Sequence, residues 1–423
     1  MTEPRSGHPV LAGLDGILAE LEELYRDVHA HPELSMQEHR TGRTAAERLE
    51  ASGFDVTTGV GGTGVVGLLA NGAGPTVMLR ADMDALPIEE ATGLPYASSA
   101  RATDPAGDEV PVMHACGHDM HVAWLAGAAA LLAGSQDAWH GTVLAVFQPA
   151  EETAQGARAM IDDGLFDRFP KPRVILGQHV MPGPAGRIGY RPGITQAAAD
   201  SLEVRMFGRG AHGSMPESSV DPVVMAAATV LRLQTIVSRE VAASEAAVVT
   251  VGALQAGTKD NVIPDEALLK LNVRTFDDRV RAHVLAAVER IVAAEAAAAG
   301  APRPPEIRNT EHYPLTLNDP ESTERVAATL RAEFGHENVR QLSAPYSASE
   351  DFGSFGTEWD APSVFWYVGG TDAEAYRKAE EAGRVAQDIP TNHNAAFAPV
   401  IHPTLETGVR AMTVAALGAF AGR

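Results

Sequence analysis

Short apolar segments that end in polar residues constrain this chain more than any other feature of its sequence. Segments such as "GTVLAVFQPAEE" and "RVILGQHV" alternate with helical patterns such as "VAWLAGAAALLAG" and "GARAMIDDG". Strands that alternate with helices are typical of an α/β layer with helices on both faces of a sheet. Two apolar runs also flank "NGAG" in "GVVGLLANGAGPTVMLR", which is typical of a hairpin. The sequence therefore predicts an α/β fold in which these two runs pair.

Further helices and strands are predicted on both sides of this region. Apolar positions recur at helical spacing over residues 11–31, and "RTGRTAAERLEASGF" predicts a second helix that Gly53 ends. Late in the chain, "PSVFWYVGG" predicts a buried strand, and an apolar helix follows near the C-terminus.

The pattern changes between residues 198 and 305, which predicts a second domain. This segment has the order strand, helix, strand, strand, helix, beginning with "SLEVRMFG" and ending with "RVRAHVLAAVERIVAAEAAAAG". Such a unit can bury a core of its own between a sheet and a helix layer. We therefore predict a catalytic domain formed by residues 1–190 and 309–423, with an inserted domain at residues 191–308.

Charge and cysteine content narrow the classes of function. The chain has 423 residues and a formal net charge of −22, so nucleic acids and anionic membranes are unfavourable partners. Its single cysteine excludes an internal disulfide and fits a reducing compartment. The N-terminal stretch "MTEPRSGHPVLAGLDG" lacks the pattern of a secretory signal. We therefore expect a cytoplasmic protein.

Polar clusters at or just after the ends of the predicted strands indicate a functional site. In open α/β sheets the carboxyl edge is where ligands bind. Histidine, cysteine and glutamate gathered at that edge are the donors of a transition-metal site. The five clusters are "RADMDALP", "HACGHD", "QPAEE", "GQHV" and "TNHNAAF".

Residue spacing within two clusters supports a metal site. Cys116 and His118 are two residues apart, which places both side chains on one side of an extended loop. Glu151 and Glu152 are adjacent, so in an extended chain they would point in opposite directions. One of them could then bind metal while the other faces the water that the metal activates.

Each of these residues also has a simpler explanation when it is taken alone. Cys116 could be a small buried apolar residue, the glutamate pair could be solvated surface, His179 a core histidine and His393 a loop residue. Four such coincidences at strand ends are improbable together, so the sequence favours the metal site. The glycine pattern "GRGAHG" resembles a dinucleotide-binding turn, but no second strand with an acidic end follows it.

These motifs, together with "GAHGSMP", "NVIPDEA" and "SEDFG", resemble the M20 metallopeptidase family over nearly the whole chain from "HAHPELS" to "TNHNAAF". The resemblance is strongest to its amidohydrolase branch, which includes hippurate hydrolases, N-acyl-amino-acid amidohydrolases and plant auxin-conjugate hydrolases. It implies a zinc-peptidase-like α/β/α catalytic domain with a mixed sheet. It also implies an inserted ferredoxin-like α+β domain that serves as a lid and a dimerisation surface.

The resemblance also implies the metal ligands. Two divalent ions per subunit, Zn or Mn with Co or Ni as further options, would be bound by Cys116, His118, Glu152, His179 and His393. Many other M20 branches have a histidine two residues before the position of Asp84. This chain has Asp82 there, as the cysteine-containing branch does, so Cys116 rather than Asp82 is the predicted ligand. The resemblance leaves open whether Asp119 contacts metal.

The implied activity is hydrolysis of the amide bond of N-acyl amino acids, giving a carboxylic acid and a free amino acid. Glu151 would be the general base for a metal-activated water, and Asp84 would orient a metal ligand. On the inserted domain, the residues that handle the substrate would be His212, Asn261 and Arg274. The resemblance further implies a homodimer through the lid domain, with a homotetramer as a further option.

Three other functions stay open on the sequence alone. A dipeptidase or aminopeptidase of the same family would need an acidic group for the free α-amine. An amidase with Cys116 as nucleophile would be sensitive to alkylation and indifferent to chelators. A metal-dependent binding protein without catalysis would leave Glu151 with no task.

Overall fold

The computed structural model describes residues 8–421. The expectation that the N-terminal stretch is not a secretory signal falls partly on residues 1–7, which lie outside the described part. The strands are β1 (Asp55–Val60), β2 (Gly64–Asn71), β3 (Thr76–Asp82), β4 (Arg101–Thr103), β5 (Glu109–Pro111), β6 (Gly141–Gln148), β7 (Val174–Pro184), β8 (Ile188–Tyr190), β9 (Gly193–Gln196), β10 (Ala198–Phe207), β11 (Ala211–His212), β12 (Ala247–Ala256), β13 (Val262–Ile263), β14 (Glu266–Thr275), β15 (Glu306–Tyr313), β16 (Thr316–Asn318), β17 (Val339–Gln341) and β18 (Ser363–Thr371). The helices are α1 (Leu14–Ala30), α2 (His39–Ala51), α3 (His118–Ala133), α4 (Gly156–Asp162), α5 (Leu165–Arg168), α6 (Pro222–Thr235), α7 (Asp278–Ala298), α8 (Pro320–Phe334), α9 (Gly353–Trp359), α10 (Ala373–Glu381), α11 (Val385–Asp388) and α12 (Ile401–Ala421).

The chain divides into two compact units. Unit 1 comprises residues 1–195, 317–345 and 351–423, and unit 2 comprises residues 196–316 and 346–350. The inserted domain predicted from the sequence is residues 191–308. It begins and ends several residues earlier than the main segment of unit 2, residues 196–316. The C-terminal difference arises because β15 pairs with β10 and so belongs to unit 2.

Unit 1 is built on an eight-stranded mixed sheet with the order β1-β2-β6-β3-β7-β18-β8-β17. Its centre is parallel, since β3 lies between β6 and β7 and β18 follows β7 in the same direction. Strands β1 and β2 are antiparallel at one end of the sheet. The predicted mixed α/β fold is therefore confirmed.

The predicted pairing around "NGAG" is wrong. Strand β6 lies between β2 and β3, pairing antiparallel with the first and parallel with the second. The hairpin of this region is instead β1–β2. A local turn signal could not reveal that a strand some seventy positions further along the sequence separates the two runs.

Helices α1, α3, α8 and α12 pack together over a large apolar core in unit 1. Helix α3 is buried along almost its whole length, which explains its small-residue sequence "VAWLAGAAALLA". At Gly408 of α12 a Cβ would lie 2.0 Å from the ring of Trp124 on α3, so the two helices can approach this closely only because that residue is glycine. This close packing against α12 fixes the position of α3, and with it the polar first turn of the helix.

Unit 2 has the strand and helix order β10-α6-β12-β14-α7-β15, and its four-stranded antiparallel sheet has the order β12-β14-β10-β15. This is the βαββαβ arrangement of ferredoxin-like domains. Helices α6 and α7 pack on each other and on β14, around a core that is separate from that of unit 1. The fold alone does not show whether unit 2 is a lid, and this stays a prediction.

Among residues 8–421, no helix combines the length and the apolar composition that a membrane crossing requires.

Candidate metal centre

The parallel strands β3, β6 and β7 bring three of the polar clusters to one region of unit 1. Asp82 at the end of β3 is paired in register with Gln148 at the end of β6. His179 lies on β7, which continues to Pro184, so this histidine is inside its strand rather than at the end. The carboxyl edge predicted from the sequence therefore carries Asp82 and Gln148, whereas His179 lies within its strand.

Gly117 shapes the turn that presents Cys116 and His118. It has φ of +83° and precedes the first residue of α3, and a Cβ at this position would lie 2.4 Å from Val180. Only glycine fits both the left-handed backbone and this close approach. The Sγ of Cys116, a nitrogen of His118 and a carboxylate oxygen of Glu152 lie within 4.8 Å of one another. The sequence predicted these three residues as ligands, and the fold brings them together.

Asp84 sets the orientation of His118. The Nδ1 of His118 lies 2.9 Å from the carbonyl oxygen of Asp84 and 3.2 Å from its Oδ1. Both are acceptors, so Nδ1 carries a proton, and in the neutral ring the lone pair would lie on Nε2. The other carboxylate oxygen of Asp84 accepts hydrogen bonds from Ser35 Oγ at 2.6 Å and from the backbone N–H of Glu152 at 3.0 Å. Burial alone would raise the pKa of Asp84, but its bond with His118 and the other donors lower it.

Carboxylates surround the Nε2 of His118. This atom lies 3.8 Å from Glu152 Oε1, 4.0 Å from Glu151 Oε2 and 3.7 Å from Asp82 Oδ2. Burial alone would lower the pKa of His118, but the charge of Asp82 and the bond to Asp84 raise it to about 10. The local field therefore strongly favours positive charge at this point.

The adjacent glutamates do not diverge as an extended chain would require. Residues 151–154 form a turn, which Ala150 enters with φ of +47°. Glu38, which is buried, accepts a hydrogen bond from the N–H of Ala150 at 2.8 Å and so fixes this turn. As a result both Glu151 and Glu152 approach His118, and the predicted opposite orientation is wrong.

His179 faces Cys116. Its Nδ1 is 2.7 Å from the carbonyl oxygen of Val180, so Nδ1 carries the proton and Nε2 accepts. That Nε2 lies 3.4 Å from Cys116 Sγ. Burial, and then the charge of Glu152, raise the pKa of the Cys116 thiol well above its usual range. Burial, and then the nearby His121, lower the pKa of His179 well below its usual range. A neutral imidazole therefore faces a thiol that needs a nearby cation to ionise.

His393 completes the group from the loop before α12. Its Nε2 lies 3.2 Å from Glu152 Oε2, and 54% of its side chain is exposed. Its backbone is left-handed, with φ of +67°. Glu152 therefore lies between His118 and His393, two other predicted ligands.

Asp82 forms hydrogen bonds with two buried residues outside the predicted ligand set. Arg80 Nη1 donates to Asp82 Oδ2 at 2.6 Å, and His121 Nδ1 donates to Asp82 Oδ1. The Nε2 of His121 accepts the N–H of Val180 at 2.9 Å, so both of its nitrogens are used. Burial alone would raise the pKa of Asp82, but the charge of Arg80 lowers it well below its usual range. These contacts support the prediction that Cys116, rather than Asp82, is the ligand.

Asp119 also has partners away from this group. Its Oδ2 lies 2.6 Å from His29 Nδ1, and its Oδ1 accepts the N–H of Met120 at 2.8 Å. His29 Nε2 in turn lies 3.1 Å from Glu90 Oε1. Both carboxylate oxygens of Asp119 are therefore hydrogen-bonded to residues outside the predicted ligand set.

Two of the predicted substrate residues lie together in unit 2. Strands β11 and β13 form a short ribbon in which His212 pairs with Val262, and Gly213 donates its N–H to the carbonyl oxygen of Asn261 at 2.8 Å. The Nδ1 of His212 accepts the N–H of Ser214 at 3.2 Å, which leaves Nε2 as the protonated nitrogen of the exposed ring.

Arg274, the third predicted substrate residue, lies near the end of β14. Its guanidinium donates to the side chain of Asn272, the carbonyl oxygen of Ser347 and the hydroxyl of Ser349. These partners are neutral, and within residues 8–421 no carboxylate lies at ion-pair distance from Arg274. Within the described residues, Arg274 is therefore held by neutral hydrogen-bond partners rather than by an ion pair.

Sequence reasoning missed several residues that support the site, namely Glu38, Arg80, His121 and Asn392. Arg80 could have been noticed because it is a charged residue inside the apolar strand "TVMLRAD". His121 could have been noticed because it is the third histidine of "HACGHDMH". No local pattern marks Glu38, because its partner Ala150 is more than a hundred residues away in the chain.

The residues present fit a bound cation. Among the residues that the structure describes, the buried His118 Nε2 and Glu152 Oε1 have no hydrogen-bond partner. Buried polar atoms without a partner are costly, and both point to a group of ligand-type atoms from Cys116, His118 and Glu152. Thiolate, imidazole and carboxylate are the donors that zinc-type cations bind.

A mixed α/β sheet that carries such a centre at its parallel strands defines a class of metal-dependent hydrolases. The comparison with known families agrees: residues 78–394 match the model of peptidase family M20/M25/M40. The chain belongs to this family, whose members hydrolyse amide bonds, as predicted from the sequence motifs.

Alignments with similar proteins extend over most of the chain. A hippurate hydrolase of Campylobacter jejuni is 38% identical, over 82% of this chain and 87% of the relative. An N-acetyl-L-cysteine deacetylase of Bacillus subtilis is 39% identical, over 83% and 80%. A solved structure of a dinuclear metal-binding M20 peptidase from Bacillus subtilis has a TM-score of 0.74 and 29% identity, covering 96% of this chain and 99% of that one.

Proposed function

We propose that this protein is a dinuclear metal-dependent amidohydrolase that cleaves N-acyl amino acids into a carboxylic acid and an amino acid. The convergence of Cys116, His118 and Glu152 beside Glu151 carries the proposal. The names of the two curated relatives, a hippurate hydrolase and an N-acetyl-L-cysteine deacetylase, support the choice of substrate class.

Five side chains would hold the two ions: Cys116, His118, Glu152, His179 and His393. When bound, the ions would lower the pKa of a water and polarise the amide carbonyl. The mixed donor set suits Zn, and its carboxylate and imidazole members also admit Mn, Co or Ni. Asp84 would keep the His118 ring in the orientation that its two hydrogen bonds define.

Glu151 would be the general base. The residue is 5% exposed and its carboxylate lies beside His118, so it can hold a proton away from bulk water. It would take a proton from the attacking water and give one to the leaving nitrogen of the amide. His212, through its Nε2–H, would stabilise the oxyanion, and Asn261 and Arg274 would bind the carboxylate of the amino acid.

The proposal includes a homodimer formed through unit 2. Val224 and Leu231 lie seven residues apart on α6 and are 64% and 75% exposed. Val248 and Leu254 on the neighbouring edge strand β12 are 46% and 43% exposed. An exposed apolar helix face beside an open strand edge is a common form of subunit interface. Assembly beyond the dimer and a cytoplasmic location stay predictions.

A substrate panel tests the function. The protein, treated with a chelator and then supplied with Zn, Mn or Co, would be assayed on benzoylglycine, N-acetylcysteine and other N-acyl amino acids, and on dipeptides. We expect turnover of the N-acyl amino acids only after a metal is restored. Preference for dipeptides would favour the dipeptidase or aminopeptidase alternative, and full activity without metal would contradict the dinuclear centre.

Cys116→Ser separates the metal ligand from the cysteine nucleophile. A serine hydroxyl stays protonated near neutral pH and binds zinc-type cations weakly, so we expect the variant to hold less metal. The raised pKa of the Cys116 thiol already disfavours a nucleophile. Metal content measured by mass spectrometry decides: unchanged content with lost activity would favour the nucleophile.

A further inference from the structure

The side-chain amide of Asn392 joins segments of the chain that carry different proposed metal ligands. Its Nδ2 donates to the carbonyl oxygen of Cys116 at 3.1 Å and to that of Val180 at 3.1 Å. Val180 follows His179 on β7, and Asn392 itself precedes His393. One NH₂ group therefore connects the backbones of three of the five proposed ligands.

Few side chains can donate two hydrogen bonds from a single nitrogen, as Asn392 does here. A carboxamide nitrogen carries two hydrogens, so it can donate to two carbonyl oxygens at once. The same nitrogen lies 3.9 Å from Cys116 Sγ, at the long limit of a hydrogen bond to sulfur. An aspartate or leucine at position 392 would donate neither bond, and both carbonyl oxygens would lose this partner.

The Val180 carbonyl links Asn392 to the chemistry of His179. This oxygen also accepts the Nδ1–H of His179 at 2.7 Å, the bond that leaves Nε2 free to bind a cation. A shift of the Val180 peptide would therefore change the direction of the His179 ring. Such outer hydrogen bonds commonly determine how a ligand presents its lone pair.

His393 depends on the same anchor. More than half of its side chain is exposed, and its backbone is in the left-handed region, which is strained for a residue with a Cβ. Two bonds tie this part of the loop to the Cys116 turn: the His393 N–H to the Ala115 carbonyl oxygen at 2.8 Å, and the Asn392 amide. A strained conformation persists only where the surroundings fix it.

We propose that Asn392 is a positioning residue that holds Cys116, His179 and His393 in the arrangement that binds the cation on their side of the centre. This inference rests on the proposed function, because it assumes that these side chains are ligands. It assigns Asn392 no contact with substrate or with the reacting atoms.

Cobalt binding tests the proposal without an activity assay. The metal-free wild-type protein and Asn392→Leu would be titrated with Co²⁺ against a competing chelator while the thiolate-to-cobalt charge-transfer absorption is recorded. We expect Asn392→Leu to bind at least one ion about 10- to 100-fold more weakly, the usual effect of losing an outer hydrogen bond. The charge-transfer band should weaken or shift, because the orientation of Cys116 changes.

Asn394→Leu is the matched control. Asn394 lies in the same loop and its side chain accepts the N–H of Ala396 at 2.9 Å, a bond within the loop that reaches neither the Cys116 turn nor β7. This variant should therefore titrate like the wild type. Circular dichroism and thermal unfolding would show that each variant is folded. If Asn392→Leu does not fold, Asn392→Ser removes the amide with a smaller side chain.

The outcomes separate the two proposals. If the wild type shows no thiolate-to-cobalt band, the proposed metal centre fails, and the inference about Asn392 fails with it. If the wild type shows the band and a folded Asn392 variant has the same affinity and the same band, only the positioning role is overturned. A lower melting temperature with unchanged cobalt binding has the same meaning, since it shows a structural role alone.

Discussion

At the scale of single residues, Glu151 and Glu152 show how two identical side chains acquire different proposed tasks. Both carboxylates approach the Nε2 of His118, at 4.0 Å and 3.8 Å, so this distance does not distinguish them. The second oxygen of Glu152 does, because it lies 3.2 Å from His393. The backbone of Glu152 is also held by Asp84. Glu152 is thus enclosed by proposed ligands, which suits a metal ligand better than a mobile proton carrier.

Replacing each glutamate in turn tests this division. Glu151→Gln should keep both metals and bind substrate, but turn over slower by roughly 10²–10⁴-fold, the usual contribution of a general base. Glu152→Gln should lose metal, because an uncharged amide is a weaker ligand than a carboxylate. Metal analysis and kcat of the two purified variants provide the measurement. If the two phenotypes are exchanged, the assignment within the pair is wrong.

The sequence predicted the residue types at this centre well, because polar residues that end apolar strands are a local signal. It failed on the direction of the glutamate pair, because the turn depends on distant contacts. Glu38, more than a hundred residues earlier in the chain, accepts the N–H of Ala150. This contact cannot be read from "QPAEETAQG" alone.

At the scale of secondary-structure elements, a buried ion network joins α1 to the start of α3. His29 on α1 lies between Asp119 on α3 and Glu90, and its side chain is 1% exposed. Burial alone would lower the pKa of His29, but its bonds to Asp119 and Glu90 raise it from 6.5 to about 9. His29 is therefore an imidazolium near neutral pH, which offsets the two buried carboxylates.

This network predicts a pH dependence of stability. Between pH 6.5 and about 9 the folded state binds a proton at His29 that the unfolded state releases, so the free energy of unfolding falls as pH rises. The stabilisation is complete below pH 6.5 and is lost as pH passes about 9, a change on the order of 3 kcal/mol at 1.36 kcal/mol per pKa unit. His29→Gln should lose this slope.

Urea unfolding at several pH values between 6 and 10, with the same metal present throughout, would measure the effect. His31→Gln is the control, since His31 is two residues away and 54% exposed, with Asp27 as a partly exposed partner. It should follow the wild-type curve. A His29→Gln variant whose stability falls with pH as steeply as the wild type would show that His29 is not the titrating group.

Elements with strong local patterns were predicted at nearly the correct positions, among them α1, α3, β6, β7 and α7. The pairing order of strands was not, as the β6 strand between β2 and β3 shows. Strand β15, with the polar sequence "EIRNTEHY", was missed because it has little apolar alternation. Its place in the sheet comes from pairing with β10 rather than from its own sequence.

At the scale of the whole molecule, the proposed catalytic residues are distributed over two compact units. The proposed metal ligands and Glu151 belong to unit 1, whereas His212, Asn261 and Arg274 belong to unit 2. His212 lies on the exposed ribbon of β11 and β13, with its Nε2–H available as a donor. If the protein forms the proposed dimer through unit 2, the His212 of one protomer would serve the site of its partner.

Subunit complementation tests this arrangement. If each site combines Glu151 of one chain with His212 of the other, the homodimers of His212→Ala and of Glu151→Gln should each be nearly inactive. When equal amounts are refolded together, random pairing makes about half of the dimers mixed, and each mixed dimer has one intact site by the two-fold symmetry. Activity should then recover to roughly a quarter of the wild-type value. Native mass spectrometry of one tagged chain would establish that subunits have exchanged. Exchange without any recovery would mean that His212 acts within its own chain or takes no part in the reaction.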